Sequence, residues 1–233
     1  MSIDFQQISK HYDGRTILHD VSFSVGAGKI TALVGPNGSG KTTLIRILLG
    51  FAFADSGKAL VLGTRYENLK NPAEQVSVLL ETAGLDPRLT VMQQLKLRTG
   101  QNRLSRDWQH DILSSVGLVD YQKSKVKSLS LGMRQRLGLA CSISGDHAVY
   151  ILDEPTNGLD YDGILWLWEL LRRKADSGAT IFVTSHHLDE LSGVIDTAIG
   201  IKNGEFVGEH ELSSDSHSSL RDFYQQLREE NKE

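Results

Sequence analysis

Cysteine is almost missing from this chain: Cys141 is the only one in 233 residues. A disulfide framework and a cysteine-ligated zinc site are excluded, and a reducing compartment fits. Long hydrophobic runs are missing too. The longest apolar stretch, 47–54, falls far short of the ~18 residues that suggest a membrane span. Met1-Ser2-Ile3-Asp4-Phe5 carries no basic segment ahead of an apolar run, so no secretory leader is expected. Nor is there an excess of basic charge: 25 Lys+Arg stand against 29 Asp+Glu, a net −4. A general nucleic-acid binder needs many phosphate-neutralising cations, and this balance argues against one. Part of the imbalance is local, with eight acids and three bases from Asn203 to Glu233. Low-complexity tracts, internal repeats and long linkers are absent as well.

What is present reads as an ordinary globular chain, 39% hydrophobic and 23% charged, and one α/β domain with insertions accounts for the length. Ile3, Phe5 and Ile8, then Val21, Phe23 and Val25, suggest two antiparallel strands around a turn at Asp13-Gly14. The apolar run 30–34 is a buried strand entering a glycine-rich loop and a helix over 41–49, capped by Gly50. Further strands are expected at 58–62 and 75–80. Helical spacing dominates from about 82 to 145, at 91–97, 108–116 and 133–143. Strands return at 148–152, 180–184 and 197–201, with a helix over 164–175 before the second of them. Trp108, Trp166 and Trp168 fall in predicted helices, where packing is their expected use. A short amphipathic helix is expected over about 216–230. The architecture is a β-α-β core interrupted by a helical insertion.

The strongest local signal is Gly35-Pro36-Asn37-Gly38-Ser39-Gly40-Lys41-Thr42, a complete GxxxxGK[ST] between a predicted strand and a predicted helix. Glycines let successive N–H groups turn inward on phosphates, and the helix adds its positive end. Lys41 can reach the β and γ phosphates, and the Thr42 hydroxyl can ligate magnesium. A second metal ligand and a group that activates water come from Asp153 and Glu154, at the end of the apolar run Ala148-Val149-Tyr150-Ile151-Leu152. Asp153 can hold magnesium at the strand's C-terminal end. Glu154 can orient or deprotonate the attacking water. Between them lies Leu129-Ser130-Leu131-Gly132-Met133, a polar turn at a helix start. Ser130 and Gly132 can donate to an anion there, although a capped helix alone has the same appearance.

In this order, with Ile151-Leu152-Asp153-Glu154-Pro155, Gly158-Leu159-Asp160 and Ser185-His186, the motifs resemble the ATP-binding subunit of an ABC transporter, over nearly the whole chain. The resemblance implies a P-loop NTPase (RecA-like) α/β core carrying an antiparallel β-subdomain and an inserted α-helical subdomain, as one nucleotide-binding domain over 1–233. It implies ATP and magnesium as ligands, held by Tyr12 stacked on adenine, Gly35 to Thr43, and the partner subunit's signature, here Ser130 and Gly132. Hydrolysis would involve Lys41, Glu154 and His186, the last contacting the γ-phosphate. Asp160 would face a second ATP-binding subunit, identical in the simplest case. A separate permease would hold the pair on the cytoplasmic side of a membrane.

Two motifs depart from the family pattern. Leu131 and Met133 replace a glycine and the glutamine of the usual LSGGQ signature. Glu81 stands at the end of strand 75–80, where a glutamine is usual. A carboxylate there can ligate metal and take part in coupling to the permease, but it cannot donate as an amide does. The LSLGM run with Glu81 and Leu89-Thr90 resembles the branch of bacitracin and lantibiotic exporters. The alternative is a soluble ABC-type ATPase acting on ribosomes or DNA. No second P-loop and no heptad repeat is present to favour it. Lys123, Lys125, Lys127, Arg134 and Arg136 form a basic run, but no aromatics interleave for base stacking. The lack of an NKxD-type motif removes the GTPase reading.

Overall fold

The computed structural model describes residues 1–80, 84–99, 105–185, 191, 193–212, 222, 223 and 225. Strands β1 (Ile3–Tyr12) and β2 (Arg15–Val25) form a hairpin. Its turn residues Asp13 and Gly14 both take positive φ, 48° and 77°, as a two-residue hairpin twisted like its strands requires. Ile3 pairs with Val25, Phe5 with Phe23 and Ile8 with Val21, so the alternating apolar residues share one face. After β3 (Ile30–Val34) and α1 (Lys41–Leu48), β4 (Ser56–Val61) returns to the other edge of β1 and completes an antiparallel three-stranded sheet.

The one-turn α2 (Pro72–Gln75) leads into β5 (Val76–Leu79). The helical insertion follows as α3 (Val91–Thr99), α4 (Arg106–Ser115) and α5 (Leu131–Ile143). The core resumes with β6 (Val149–Asp153), α6 (Tyr161–Asp176), β7 (Thr180–Ser185), β8 (Thr197–Lys202) and β9 (Glu205–Glu211). Among the described residues the main sheet has six strands in the order β5-β6-β7-β3-β8-β9. Only the edge strand β9 runs antiparallel to its neighbour.

This sheet is covered on both faces, which is why its strands read as unbroken apolar runs. Ile30, Ala32, Tyr150, Leu152, Ile181 and Val183 pack with residues of α5 and α6. The alternate residues Leu33, Ile151 and Phe182 pack with α1 and with Phe5 and Phe23 of the small sheet. Phe5 and Phe23 lie 4.6 Å apart, centroid to centroid. Each such buried side chain contributes about 1.5–3 kcal/mol relative to exposure.

Three helices begin earlier than their apolar spacing suggests, each at a capping side chain. Ser105 Oγ accepts the Trp108 N–H at 3.1 Å and starts α4 at Arg106. Ser130 Oγ accepts the Met133 N–H at 3.2 Å and starts α5 at Leu131. Asp160 Oδ1 accepts the Gly163 N–H at 2.9 Å and starts α6 at Tyr161. Trp168 is buried in the core, and Trp108 and Trp166 pack against it. The helix expected over 216–230 lies outside the described residues except at 222, 223 and 225.

Candidate active site

The loop after β3 is fixed by close backbone packing. A Cβ on Gly35 would stand 2.0 Å from the Ile201 carbonyl oxygen. Gly40 has φ 105°, and a Cβ there would meet Leu18 Cδ2 at 2.6 Å. Gly204, in the β8–β9 turn, donates its N–H to Ser39 O at 3.1 Å. Gly35 is therefore demanded by the backbone wall and Gly40 by its left-handed conformation, whatever the ligand asks.

Lys41 folds back into this loop, its Nζ donating to Gly35 O at 2.8 Å and Pro36 O at 3.0 Å. Burial pulls the Lys41 pKa below the usual lysine value, and the negative charges of Glu154 and Asp153 oppose that pull. Helix α1 opens on Gly40 with no side-chain cap and no acid in its first turn. Its N-terminal N–H groups and positive dipole end stay available. Ser39 Oγ is buried without a hydrogen-bond partner among the described residues. A phosphate fits here, since its oxygens accept from that hydroxyl, the helix amides and the ammonium.

Register brings the acids to the same edge. Val34 pairs with Ser185 and Asp153 with Thr184, so β3, β7 and β6 end side by side. Asp153 is 5% exposed. Thr184 Oγ1 donates to Asp153 Oδ1 at 2.6 Å and accepts the Glu154 N–H at 3.0 Å. Thr42 Oγ1 donates to Asp153 Oδ2 at 3.4 Å. Glu154 leaves the strand at φ 50°, a left-handed conformation that costs roughly 1–2 kcal/mol for a residue with a Cβ. Such strain recurs at functional sites. Hydroxyl and carboxylate oxygens suit a hard cation such as magnesium. Among the described residues no group of three or more His, Cys, Asp or Glu gathers to cage a metal. A cation here would complete its shell with substrate oxygens and water, as magnesium commonly does. Beside the acids lies a cavity of about 20 Å³ lined by Leu79, Leu80, Gln135, Asp153, Glu154, Pro155 and Asn157.

The other residues singled out from sequence are spread more widely. Ser130 is exposed at the start of α5, and a Cβ on Gly132 would meet nothing within 4 Å. Among the described residues no hydrogen bond joins either to the loop 35–43. Gly132 belongs instead to a seam with the segment after Glu154, where a Cβ on Gly158 would stand 3.6 Å from Gly132 Cα. Asp160 caps α6. Tyr12 ends β1, 47% exposed, with the Lys10 ammonium 4.9 Å from its ring centroid. Glu81 and His186 lie outside the described residues. Thr184 and Gln135 were not anticipated. A threonine closing an apolar strand beside Ser185 was the available signal for Thr184.

A phosphate cradle facing a strand-end carboxylate pair is what a P-loop nucleotide hydrolase needs. Residues 18–157 match the family model described as ABC transporter. The chain belongs to that family, as an ATP-binding subunit with ATPase activity. It is 34% identical over 222 residues, 95% of either chain, to the lantibiotic transport ATP-binding protein SrtF of Streptococcus pyogenes. It is 35% identical over 217 residues to the bacitracin transport ATP-binding protein BcrA of Enterococcus faecalis, covering 91% of this chain and 70% of the other. A solved structure described as the ATP-binding subunit of an ABC transporter matches with TM-score 0.83 at 26% identity, over 98% of this chain and 100% of that one.

Proposed function

We propose that this chain energises a separate permease that exports antimicrobial peptide or another drug-like cargo, from the cytoplasmic side of a membrane. The observation that carries the reading is the convergence of Lys41, Thr42, Asp153 and Glu154 at one sheet edge. Similarity along 95% of SrtF, whose name specifies lantibiotic transport, points to the cargo class. No helix among the described residues is long and apolar enough to cross a membrane, and the permease is assigned the attachment.

In this reading Gly35 to Thr43 bind the ATP phosphates and Tyr12 stacks on adenine. Thr42 and Asp153, with Glu81, hold magnesium, which when bound offsets phosphate charge. Glu154 takes a proton from water as the water oxygen bonds to the γ-phosphorus and the bridging bond to ADP breaks. Lys41 and the loop amides stabilise the charge on the transferring group, and His186 contacts the γ-phosphate. Ser130 and Gly132 serve the ATP of a second, identical subunit arranged head to tail, with Asp160 in the contact region. Their separation from the loop of their own subunit supports that assignment. Closure on ATP and reopening after hydrolysis drive the permease.

The test is affinity purification of the tagged chain from detergent-solubilised cells. A polytopic membrane protein should co-purify and form an ATPase with it. Recovery on ribosomes or DNA, with no membrane protein, overturns the transport reading in favour of a soluble ATPase.

A further inference from the structure

Helix α5 is fastened to β5, the strand beside β6 in the same subunit. Ser142 Oγ donates to Val78 O at 3.1 Å, and Ser77 Oγ donates back to Ser142 O. Near the other end of α5, Gln135 is half-buried and lines the 20 Å³ cavity together with Asp153, Glu154 and Asn157. A Cβ on Gly158 would stand 3.6 Å from Gln135 Oε1, so the segment leaving Glu154 runs along this side chain. The other described walls, Leu79, Leu80 and Pro155, are apolar.

The volume is about that of a single water, which needs two to four polar partners to reside there. Ionised carboxylates only accept hydrogen bonds, so Asp153 and Glu154 cannot orient each other or both lone pairs of a water. Among the described residues the side-chain donors on this cavity are the amides of Gln135 and Asn157. Asn157 is tied to the Glu154 segment itself, its N–H donating to Glu154 O at 3.2 Å. Gln135 arrives on a separate helix, the one whose first turn carries Ser130 and Gly132.

We infer that Gln135 is a positioning residue for hydrolysis: its amide orients the Glu154 carboxylate and its water, and so ties the seating of α5 to turnover in the same subunit. The inference rests on Glu154 as the base. It makes the signature helix two-sided, with its N-terminus turned to one ATP and its Gln135 turned to the acid that hydrolyses another.

The test is steady-state ATPase of the full-length chain in its purified complex, across ATP concentration and pH. Gln135→Met keeps length and removes the amide. It should lower kcat about ten- to hundredfold, as small misplacements of a reacting group do, with KM for ATP within about twofold and Tm little changed. Gln135→Glu should also lose rate at neutral pH. Its rate relative to the parent should then recover as pH falls, because a protonated carboxyl donates as the amide did. That recovery also decides the matter if Gln135→Met fails to fold. A kcat within twofold of the parent in both variants, a loss confined to KM, or a ratio flat with pH overturns the inference. Glu154→Gln measured alongside separates the two readings. If it stays active, the base assignment falls. If it is inactive while both Gln135 variants stay active, only the positioning role falls.

Discussion

The strand edge formed by β3, β6 and β7 and the first turn of α5 handle the same anion chemistry in opposite ways. At the strand edge the polar side chains are tied to one another, Ser39 Oγ apart: Asp153 takes both hydroxyls within reach, and Lys41 is held on two carbonyls. At the start of α5, Ser130 is exposed, its hydroxyl engaged among the described residues only in its own cap, and Leu131 beside it is 65% exposed. The first is a finished half-site whose geometry the fold enforces. The second offers a hydroxyl, backbone amides and a helix dipole to something outside the chain. Two such chains, set head to tail, would each complete the other.

The largest expected effect breaks the finished half. Glu154→Gln keeps the shape of the side chain and leaves Asp153 and Thr42 in place, but removes the proton acceptor. Turnover should fall by about 10²–10⁴-fold, the range for loss of general-base catalysis, while ATP affinity stays near that of the parent. The variant should collect as an ATP-bound dimer in size-exclusion chromatography. Near-parental ATPase activity would falsify the role of Glu154.

The next breaks the open half. Ser130→Arg places bulk where the partner's ATP would close. Turnover should drop about hundredfold or more, comparable to loss of a preorganised anion donor. ATP affinity of the isolated monomer should move by less than about twofold, since no hydrogen bond joins Ser130 to its own phosphate loop. A parallel loss of monomer affinity and activity would show that Ser130 acts within its own subunit, and the contrast between the halves would disappear.

A smaller effect tests how the finished half is held. Thr184→Val keeps the strand shape but deletes the hydroxyl shared between Asp153 Oδ1 and the Glu154 N–H. Leaving a buried carboxylate oxygen and an amide unpaired should cost about 1–3 kcal/mol of stability, read as a lowered urea midpoint. ATPase should fall as well, because Glu154 loses the contact that fixes its backbone. An unchanged midpoint would mean that water replaces the hydroxyl without loss.

These residues also mark how far the sequence could be read. Lys41, Thr42, Asp153 and Glu154 were legible because each sits at a fixed offset in a local motif whose strand and helix context was also visible. The main-sheet strands were legible for a related reason: burial on both faces leaves runs such as Ile30 to Val34 with no polar residue except Thr31. Thr184 and Gln135 were not legible, because their value comes from register and helix seating across a long sequence separation. Thr184 meets Asp153 only through the β6–β7 pairing. The starts of α5 and α6 were placed late because capping by Ser130 and Asp160 extends each helix beyond its apolar stripe. Asp160, read as a contact for a second subunit, serves visibly as that cap.

The smallest effect lies just before β6, at the end of the strand opposite Asp153, and should leave the chemistry alone. His147 is half-buried there, its Nδ1 3.2 Å from Glu74 O, its N–H donating to the Tyr150 hydroxyl at 3.1 Å, and its ring edge-on to Tyr150 at 5.4 Å. Burial pushes its pKa below the usual 6.5, and the nearby Lys174 adds to that shift. Backbone hydrogen bonds with Glu74 and Ser144 and the charge of Asp146 oppose it. With the folded pKa below the unfolded one, the unfolded chain binds more protons in the window under pH 6.5. Stability is therefore lost as pH falls through that window. Asp55 and Asp86 do not blur the reading, because Lys10 and Arg88 hold them down at about 2. Their contribution is lost only as pH drops below the ordinary carboxylate value of 3.8. The urea midpoint should thus be lower at pH 5.5 than at pH 7.5, and His147→Gln should flatten that difference. ATP affinity at pH 7.5 should be the same in variant and parent. If His147→Gln keeps the full pH dependence, the proton responsible lies elsewhere. If it weakens ATP binding, the two ends of β6 are not independent, and the self-contained character of the Asp153 end has to be given up.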